Sequence, residues 1–246
     1  MARSRPTPLE IEAKLLAAPS DLRTIARLES IGPYRLRPRD TARLHSVYID
    51  TADLILTHRG IAVRLRRHAG RWELTAKWAG RIGGLVHERP ELTIPLSTAP
   101  RFPFHLDGQL QPGLDAIVAG RPLCPILITR IHRRRFDVSL LAARASAPPL
   151  AELALDRVRL RAPDDRHAIA AYCEIEIERL RGTRRHVTRL AELLQQRFDL
   201  APSTESKFSR GLSLLYGAGF RAECEARRRA SFQHGRQLDF TPPRGK

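Results

Sequence analysis

No run in this sequence approaches the ~18 apolar residues that a membrane-spanning helix needs, so no spanning helix is expected. Cysteine is scarce. Cys124, Cys173 and Cys224 are odd in number, scattered and free of CxxC spacing, which argues against a disulfide framework and against a cysteine-ligated metal. They read as small core residues. The start, Met1-Ala-Arg-Ser-Arg-Pro-Thr-Pro8, is positively charged but has no apolar segment behind it, so it does not read as a signal peptide and a cytoplasmic location is expected. The 9 histidines show neither HxxxH nor HExxH spacing. No Ser–His or Cys–His dyad emerges from the motifs, and no internal repeat is visible. Acidic residues are also in short supply: 26 Asp and Glu against 43 Lys and Arg leave a formal charge of +17. Such an excess attracts anions, whether nucleic acid, phosphorylated metabolites, polyphosphate or an acidic membrane surface. The Arg, Ala, Leu and Pro bias of a GC-rich genome offers a blander source for the same charge.

What the sequence does have is alternation. In Leu9-Glu-Ile-Glu-Ala-Lys-Leu15 a β-strand would place Glu10, Glu12 and Lys14 on one face and Leu9, Ile11, Ala13 and Leu15 on the other. Further strand-like runs are Leu44 to Asp50, Ile61 to Arg67, Arg71 to Trp78, Val86 to Ile94, Leu127 to Val138, Ala151 to Leu160 and Cys173 to Leu180. Breaks around Gly70 and Gly80 to Gly84 suggest a meander. A short helix capped by Ser20 is expected to Ile31, another from Leu114 to Ala119, a third from Thr183 to Phe198 and a last from Lys207 to Tyr216. With 246 residues there is room for one large domain. The expected organisation is a flexible N-terminus over 1–7, a domain over 8–217 and a basic tail over 218–246, whose last 26 residues read as largely disordered. About eight strands with few helices imply an α+β fold built on a closed, eight-stranded antiparallel β-barrel with flanking helices.

Charged residues are sorted by strand. Arg64 and Arg66 share a face, as do Thr75 and Lys77, then His87, Arg89 and Glu91, then Arg133 and Arg135. On the acidic side Glu152 pairs with Asp156, and Glu174, Glu176 and Glu178 line up together. One wet sheet face would explain any one of these strands. The whole set fits better if the apolar faces pack outward against helices and the charges point into the barrel. Buried charges persist only when paired, hydrated or holding an ion. A barrel of this size can enclose a small ligand. Cations on one wall and carboxylates on another suit a phosphate chain with a bound hard metal.

At this point the sequence resembles the CYTH domains of the triphosphate tunnel metalloenzymes, over roughly residues 8–217. The ExExK signature stands as Glu10-Ile-Glu-Ala-Lys14. It is followed in order by Val47-Tyr-Ile-Asp-Thr51, Val63-Arg-Leu-Arg66, Leu74-Thr-Ala-Lys77, Glu88-Arg-Pro-Glu91, Arg133-Arg-Arg135, Glu152-Leu-Ala-Leu-Asp156, Cys173-Glu-Ile-Glu-Ile-Glu178 and Ser206-Lys-Phe208. The resemblance implies a tunnel for triphosphates and Mg²⁺ or Mn²⁺. It implies phosphate contacts from Lys14, Arg64, Arg66, Lys77, Arg89, Arg133, Arg135 and Lys207. It implies metal service by Glu10, Glu12, Asp156 and two of Glu174, Glu176 and Glu178, with Glu152 and Glu91 either joining them or neutralising a neighbouring Arg. Glu10, Glu12, Lys77 and Glu176 would stand closest to the chemistry. Relatives often carry Gly two residues after the aspartate, where this chain has Val158, so the turn expected there is in question.

The activity this implies is metal-dependent hydrolysis of inorganic triphosphate to pyrophosphate and phosphate. Two alternatives stand beside it. One is a hydrolase of thiamine or nucleoside triphosphates, or an adenylyl cyclase, for which Trp72, Trp78 and Tyr48 could supply stacking. The other is a non-catalytic polyphosphate- or nucleic-acid-binding module acting through the basic tail around Arg227-Arg-Arg229, where polyanion binding would be mostly non-specific. The expected partner is a small triphosphate, and no feature of the sequence sets an oligomeric state.

Overall fold

Alternation at period two dominates the chain, and the chain folds accordingly. The computed structural model describes residues 8–226 apart from 107–109, 111, 145, 218, 221 and 225. In chain order the elements are β1 (Leu9–Ala17), α1 (Pro19–Ile25), β2 (Ser30–Ile31), β3 (Tyr34–Asp50), α2 (Ile55–His58), β4 (Ile61–His68), β5 (Arg71–Trp78), β6 (Arg81–Gly83), β7 (Val86–Leu96), α3 (Pro112–Val118), β8 (Cys124–Leu140), β9 (Ala151–Arg161), β10 (Ala170–Arg179), α4 (Arg184–Arg197), β11 (Ala201–Pro202) and α5 (Lys207–Tyr216). Eight strands close a ring in the order β1-β10-β9-β8-β3-β4-β5-β7, with β7 pairing back to β1. Every neighbouring pair in the ring is antiparallel. No helix among the described residues is long and apolar enough to cross a membrane.

The ring sorts side chains by parity. Outward apolar residues form two separate cores. One joins Ala13, Leu15, Leu153, Ile175 and Ile177 to Leu22 and Ile25 of α1 and to Val187, Leu190 and Leu194 of α4. The other joins Val63, Leu65, Leu74 and Ala76 to Leu56 of α2 and Leu114 of α3. A third cluster lies inside the ring, because Leu44, Ile131, Val158 and Leu160 alternate on the same strand faces as the charged residues. α5 seals that end. Its Gly211 lies so close to Leu127 that a Cβ there would meet the leucine Cδ2 at 2.3 Å. The interior is therefore apolar at the α5 end and charged elsewhere.

Several boundaries differ from the sequence reading. α1 begins at Pro19 after an Ala18 N-cap whose N–H donates to Asp21 (3.1 Å), so Ser20 is not the cap. The helix ends at Ile25, and Ser30–Ile31 instead pairs with β3. β3 and β8 each run for 17 residues and pair along nearly their whole length. Arg35, Arg37, Pro38 and Arg39 hide the start of β3 from an alternation count. Val158 lies buried in the middle of β9, so no turn follows Asp156. Of the cysteines only Cys173 is buried; Cys124 is exposed. The expected flexible start, 1–7, and 227–246 of the basic tail lie outside the described residues. At the beginning of that tail Phe220 packs on Tyr216, with ring centroids 4.8 Å apart, and the Glu223 N–H donates to the Gly219 carbonyl in a helical turn.

Candidate functional site

A cavity of about 130 Å³ opens inside the charged half of the ring. Glu10, Glu12 and Lys14 from β1, Arg64 and Arg66 from β4, Lys77 from β5, Arg89 and Glu91 from β7, Arg133 from β8, Glu176 and Glu178 from β10, and Lys207 from α5 all line it. Asp156, Glu174 and Glu152 are buried directly behind that lining. Arg135 is the exception among the expected residues. Its guanidinium is held bidentately by Asp40 (2.6 and 2.5 Å) and does not line the cavity, so it is not placed to contact a ligand there.

Most of the cations are already tethered. Lys77 Nζ lies 2.7 Å from Glu10 and 2.8 Å from Glu91. Arg89 reaches Glu10 at 2.7 Å and Glu12 at 2.6 Å, and Lys14 Nζ stands 2.6 Å from Glu12. Burial opposes ionisation of Glu10, but Lys77 and Arg89 outweigh it and hold the carboxyl below its ordinary value. Burial opposes ionisation of Glu12 as well, and there Lys14 and Arg89 prevail. Arg133 grips Asp156 through two bonds (2.8 and 2.7 Å) and also contacts Glu176. Lys207 Nζ touches Glu174, Glu176 (2.7 Å) and Asp156 (3.0 Å).

Three groups stand apart. Arg64 and Arg66 have no carboxylate partner among the described residues. Arg66 Nε donates to Ser46 Oγ (3.1 Å), a nitrogen of Arg64 donates to Thr75 Oγ1 (3.4 Å), and the buried Arg64 Nε has no hydrogen-bond partner. Burial, then Arg64 and Arg133, push Arg66 down to about 9. Opposite in sign is Glu178. It faces Glu12 across β1 and Glu152 across β9 in register. Burial, then the charge of Glu10, push its carboxyl up to about 7. Two cations lack an anion, and one carboxylate lacks a cation.

The acidic residues divide accordingly. Asp156, Glu174 and Glu176 bring oxygens within 4.8 Å of one another. The Lys207 ammonium sits among them and is itself held well above its ordinary pKa by their charge, against the cost of burial. In this structure that trio surrounds the Lys207 ammonium. Glu10, Glu12 and Glu178 are all-oxygen donors facing the cavity with one charge unbalanced, which suits a hard divalent ion. Of the three β10 glutamates, Glu176 and Glu178 line the cavity and Glu174 does not.

Sequence reasoning missed some of the surroundings. Asp50 is buried and accepts from the N–H groups of Thr51 (2.8 Å), Leu56 (3.0 Å) and Thr57 (2.8 Å) and from Thr57 Oγ1 (2.6 Å), which fixes α2 against the ring. A second cavity of about 300 Å³ adjoins the first and shares Ala62, Lys77, Arg89, Ser206 and Phe208 with it. Trp78, His87 and Cys224 also line it. His87 Nε2 donates to the Ser203 carbonyl (3.0 Å), and Cys224 Sγ is 3.5 Å from His58 Nδ1. No spacing could flag that last pair, whose members are 166 residues apart. Trp72 packs against the outer core, whereas Tyr48 lines the first cavity and stacks on Phe208 at 4.8 Å.

Comparison with known proteins agrees with this architecture. The family model for the CYTH domain matches residues 8–212. The Hippeastrum protein HpAC1, named as an adenylyl cyclase and described as having a dominant triphosphatase activity, superposes with a TM-score of 0.56 at 18% identity, over 83% of this chain and 95% of its own. A Bacillus halodurans protein named as an adenylate cyclase superposes at 0.53 with 19% identity, over 82% of this chain and 96% of its own. At such identities these likenesses speak for the fold.

Proposed function

The chain belongs to the CYTH family, and we propose that it hydrolyses inorganic triphosphate to pyrophosphate and phosphate with Mg²⁺ or Mn²⁺. The observation that carries this reading is the pairing of two cations without carboxylate partners, Arg64 and Arg66, with a carboxylate wall that has charge to spare at Glu178. Glu10, Glu12 and Glu178 would hold the metal, with Glu176 at their edge. A divalent ion there supplies charge neutralisation on the phosphate oxygens and a more acidic bound water.

The side chains account for the rest. Arg64 and Arg66 offer guanidinium donors that no carboxylate among the described residues holds, and these would fork onto phosphoryl oxygens. Lys14, Lys77 and Arg89 stand beside them, oriented by Glu10 and Glu12. Lys207 and Arg133 are locked by Asp156, Glu174 and Glu176 and complete the cationic surround. Water oxygen forms a new bond to the terminal phosphorus as the bond to the pyrophosphate oxygen breaks. The charge that develops on the leaving group falls among these preorganised cations. Pairing inside the tunnel also explains the need for metal. With Arg39, which pairs with Glu152, eight cations (Lys14, Arg39, Arg64, Arg66, Lys77, Arg89, Arg133 and Lys207) meet eight carboxylates (Glu10, Glu12, Glu91, Glu152, Asp156, Glu174, Glu176 and Glu178), so the tunnel without metal would offer a polyanion little net attraction.

Phosphate release from inorganic triphosphate, ATP and thiamine triphosphate, each with Mg²⁺, with Mn²⁺ and with chelator, tests the reading. Metal-dependent turnover favouring inorganic triphosphate is expected, and Glu10→Gln with Glu12→Gln should remove it while the ring stays folded. Unchanged turnover in that double variant would sink the proposal. A second reading, cleavage of an organic triphosphate, is favoured by the adjoining 300 Å³ cavity with its Trp78 and Phe208 lining. If ATP or thiamine triphosphate is the better substrate, and Phe208→Ala raises KM for it alone, that reading replaces the first.

A further inference from the structure

The +17 charge of the chain does not reside in the tunnel, where carboxylates and cations are matched in number. Part of it is laid out on the outside of the ring. Helices α1 and α4 cover one part of the outer sheet surface and α2 and α3 another. Between them the outer face of β3, β8 and β9 bears two cross-strand rows. Arg43 faces His132, which faces Arg157; His45 faces Arg130, which faces Arg159. The four arginines are exposed and form no ion pair with any described residue. A shallow groove runs over these rows, bounded by Pro19 and Arg23 of α1, and no carboxylate lines it.

Like charges set directly opposite one another across strands cost stability. Arg130 and Arg159 are such a pair, with Arg157 diagonal to Arg130; a face of this kind without interspersed acids is one that folding alone disfavours and that an anionic partner would relieve. The face also says which kind. None of the large hydrophobic residues exposed elsewhere lies on it, so it has nothing to insert into a lipid surface. It presents no aromatic platform for stacking bases, since the Tyr172 side chain lies on the inner face of β10 with Glu174 and is covered there by Arg210, 4.9 Å from the ring centroid. Guanidiniums carried on strands about 4.8 Å apart, in a groove without stacking rings, suit a chain of phosphates carrying nothing else. We propose that this outer face is a docking surface for linear inorganic polyphosphate, separate from the tunnel.

The test uses the full chain, labelled linear polyphosphate and chelator throughout, with affinity followed by fluorescence anisotropy against salt concentration. The variant Arg130→Glu/Arg157→Glu/Arg159→Glu is compared with Arg101→Glu/Arg144→Glu/Arg185→Glu, which changes the net charge equally at exposed sites off the face. The face variant should lose at least ~10-fold in affinity, and its log–log salt slope should fall by about three, one per lost phosphate contact. The control should change far less. Triphosphate hydrolysis with metal should be the same in both, and the face variant should melt close to the wild type, because the opposed Arg130–Arg159 pair is exchanged for two opposed carboxylates of similar cost. Equal weakening of both variants would assign binding to bulk charge and overturn the proposal. So would single-stranded RNA of matched charge that binds more tightly than polyphosphate and is lost with the same three arginines.

Discussion

Replacing Lys207 by Met would remove one ammonium from the midst of three buried carboxylates while keeping the length of the side chain. Lys207 is 7% exposed, and Asp156 and Glu174 are 0% and 1% exposed. Stripping one partner from a buried ion cluster costs about 3–5 kcal/mol. Arg133 still holds Asp156 and Glu176, so Glu174 is the group left stranded and the lower end, ~3 kcal/mol, is expected. For a chain of this size that is a fall in Tm of about 6–12 °C. The loss must depend on pH. In the wild type, burial opposes ionisation of Glu176, but Lys207 and Arg133 hold its carboxyl well below 4.5, a stabilisation present above that value and lost in acid. Without Lys207 the Glu174 and Glu176 carboxyls rise. A raised carboxyl favours the folded state at low pH and loses that advantage as pH climbs through the folded value. The deficit should therefore be largest near pH 8 and shrink toward pH 5. Metal should then do what the ammonium did. Three oxygens within 4.8 Å become a divalent site, and Mg²⁺ at a hundred times its Kd would restore about 2.7 kcal/mol, more than it adds to the wild type. Thermal melts across pH, with Mg²⁺ and with chelator, measure all of this. A deficit that is flat in pH, or that grows in acid, would refute the reasoning.

Other consequences are checked more simply. Arg64→Ala or Arg66→Ala removes a charge-assisted contact to phosphate of about 1.5–3 kcal/mol, so kcat/KM for triphosphate should fall roughly 10- to 150-fold with an unchanged melting temperature; a smaller loss would mean that neither arginine meets the substrate. Glu178, pushed up to about 7, keeps its proton at pH 6 and by pH 8 has lost it at a cost to the metal-free fold. The Tm gain on adding Mg²⁺ should accordingly be larger at pH 8 than at pH 6, and Glu178→Gln should erase the difference. Asp50→Ala leaves four donors around α2 unsatisfied, and should cost at least ~3 kcal/mol in denaturant unfolding.

Strand faces were legible because their period is two and their two sides differ in charge: β1, β4, β5, β7, β9 and β10 all present the charges inward as the alternation requires. The helices with clear apolar stripes, α4 after Thr183 and α5 from Lys207, lie where the sequence places them. Legibility failed where one strand's pattern is overwritten by another demand. The first part of β3 and the last of β8 carry Arg, Pro and Asp because they meet at an exposed rim, where Arg135 pairs with Asp40 and Arg37 with Asp137. A shared parity therefore promised Arg135 to the cavity, while distance along the strand took it to the rim. The choice among Glu174, Glu176 and Glu178 was equally invisible, since all three share a face. It depends on how deep α5 drives Lys207, a tertiary fact.

Charge balance ties these observations together. A barrel interior could be made attractive to triphosphate by cations alone, yet this one pairs nearly every cation with a carboxylate. The pairing fixes long side chains that would otherwise lose considerable rotamer freedom when buried, and it keeps the empty tunnel from repelling itself apart. It also means that a phosphate chain competes with internal carboxylates for each cation except Arg64 and Arg66. In the proposed reading those two arginines would decide where the first phosphoryl group settles. Metal on Glu10, Glu12 and Glu178, in the same reading, would decide whether the remaining cations can be shared. On this view selectivity for compact, multiply charged phosphates follows from the internal pairing itself. Loosening the pairs, by Glu91→Gln for example, should let the tunnel bind triphosphate more tightly in chelator than the wild type does. Weaker binding in that variant would show that the carboxylates orient the cations more than they restrain them.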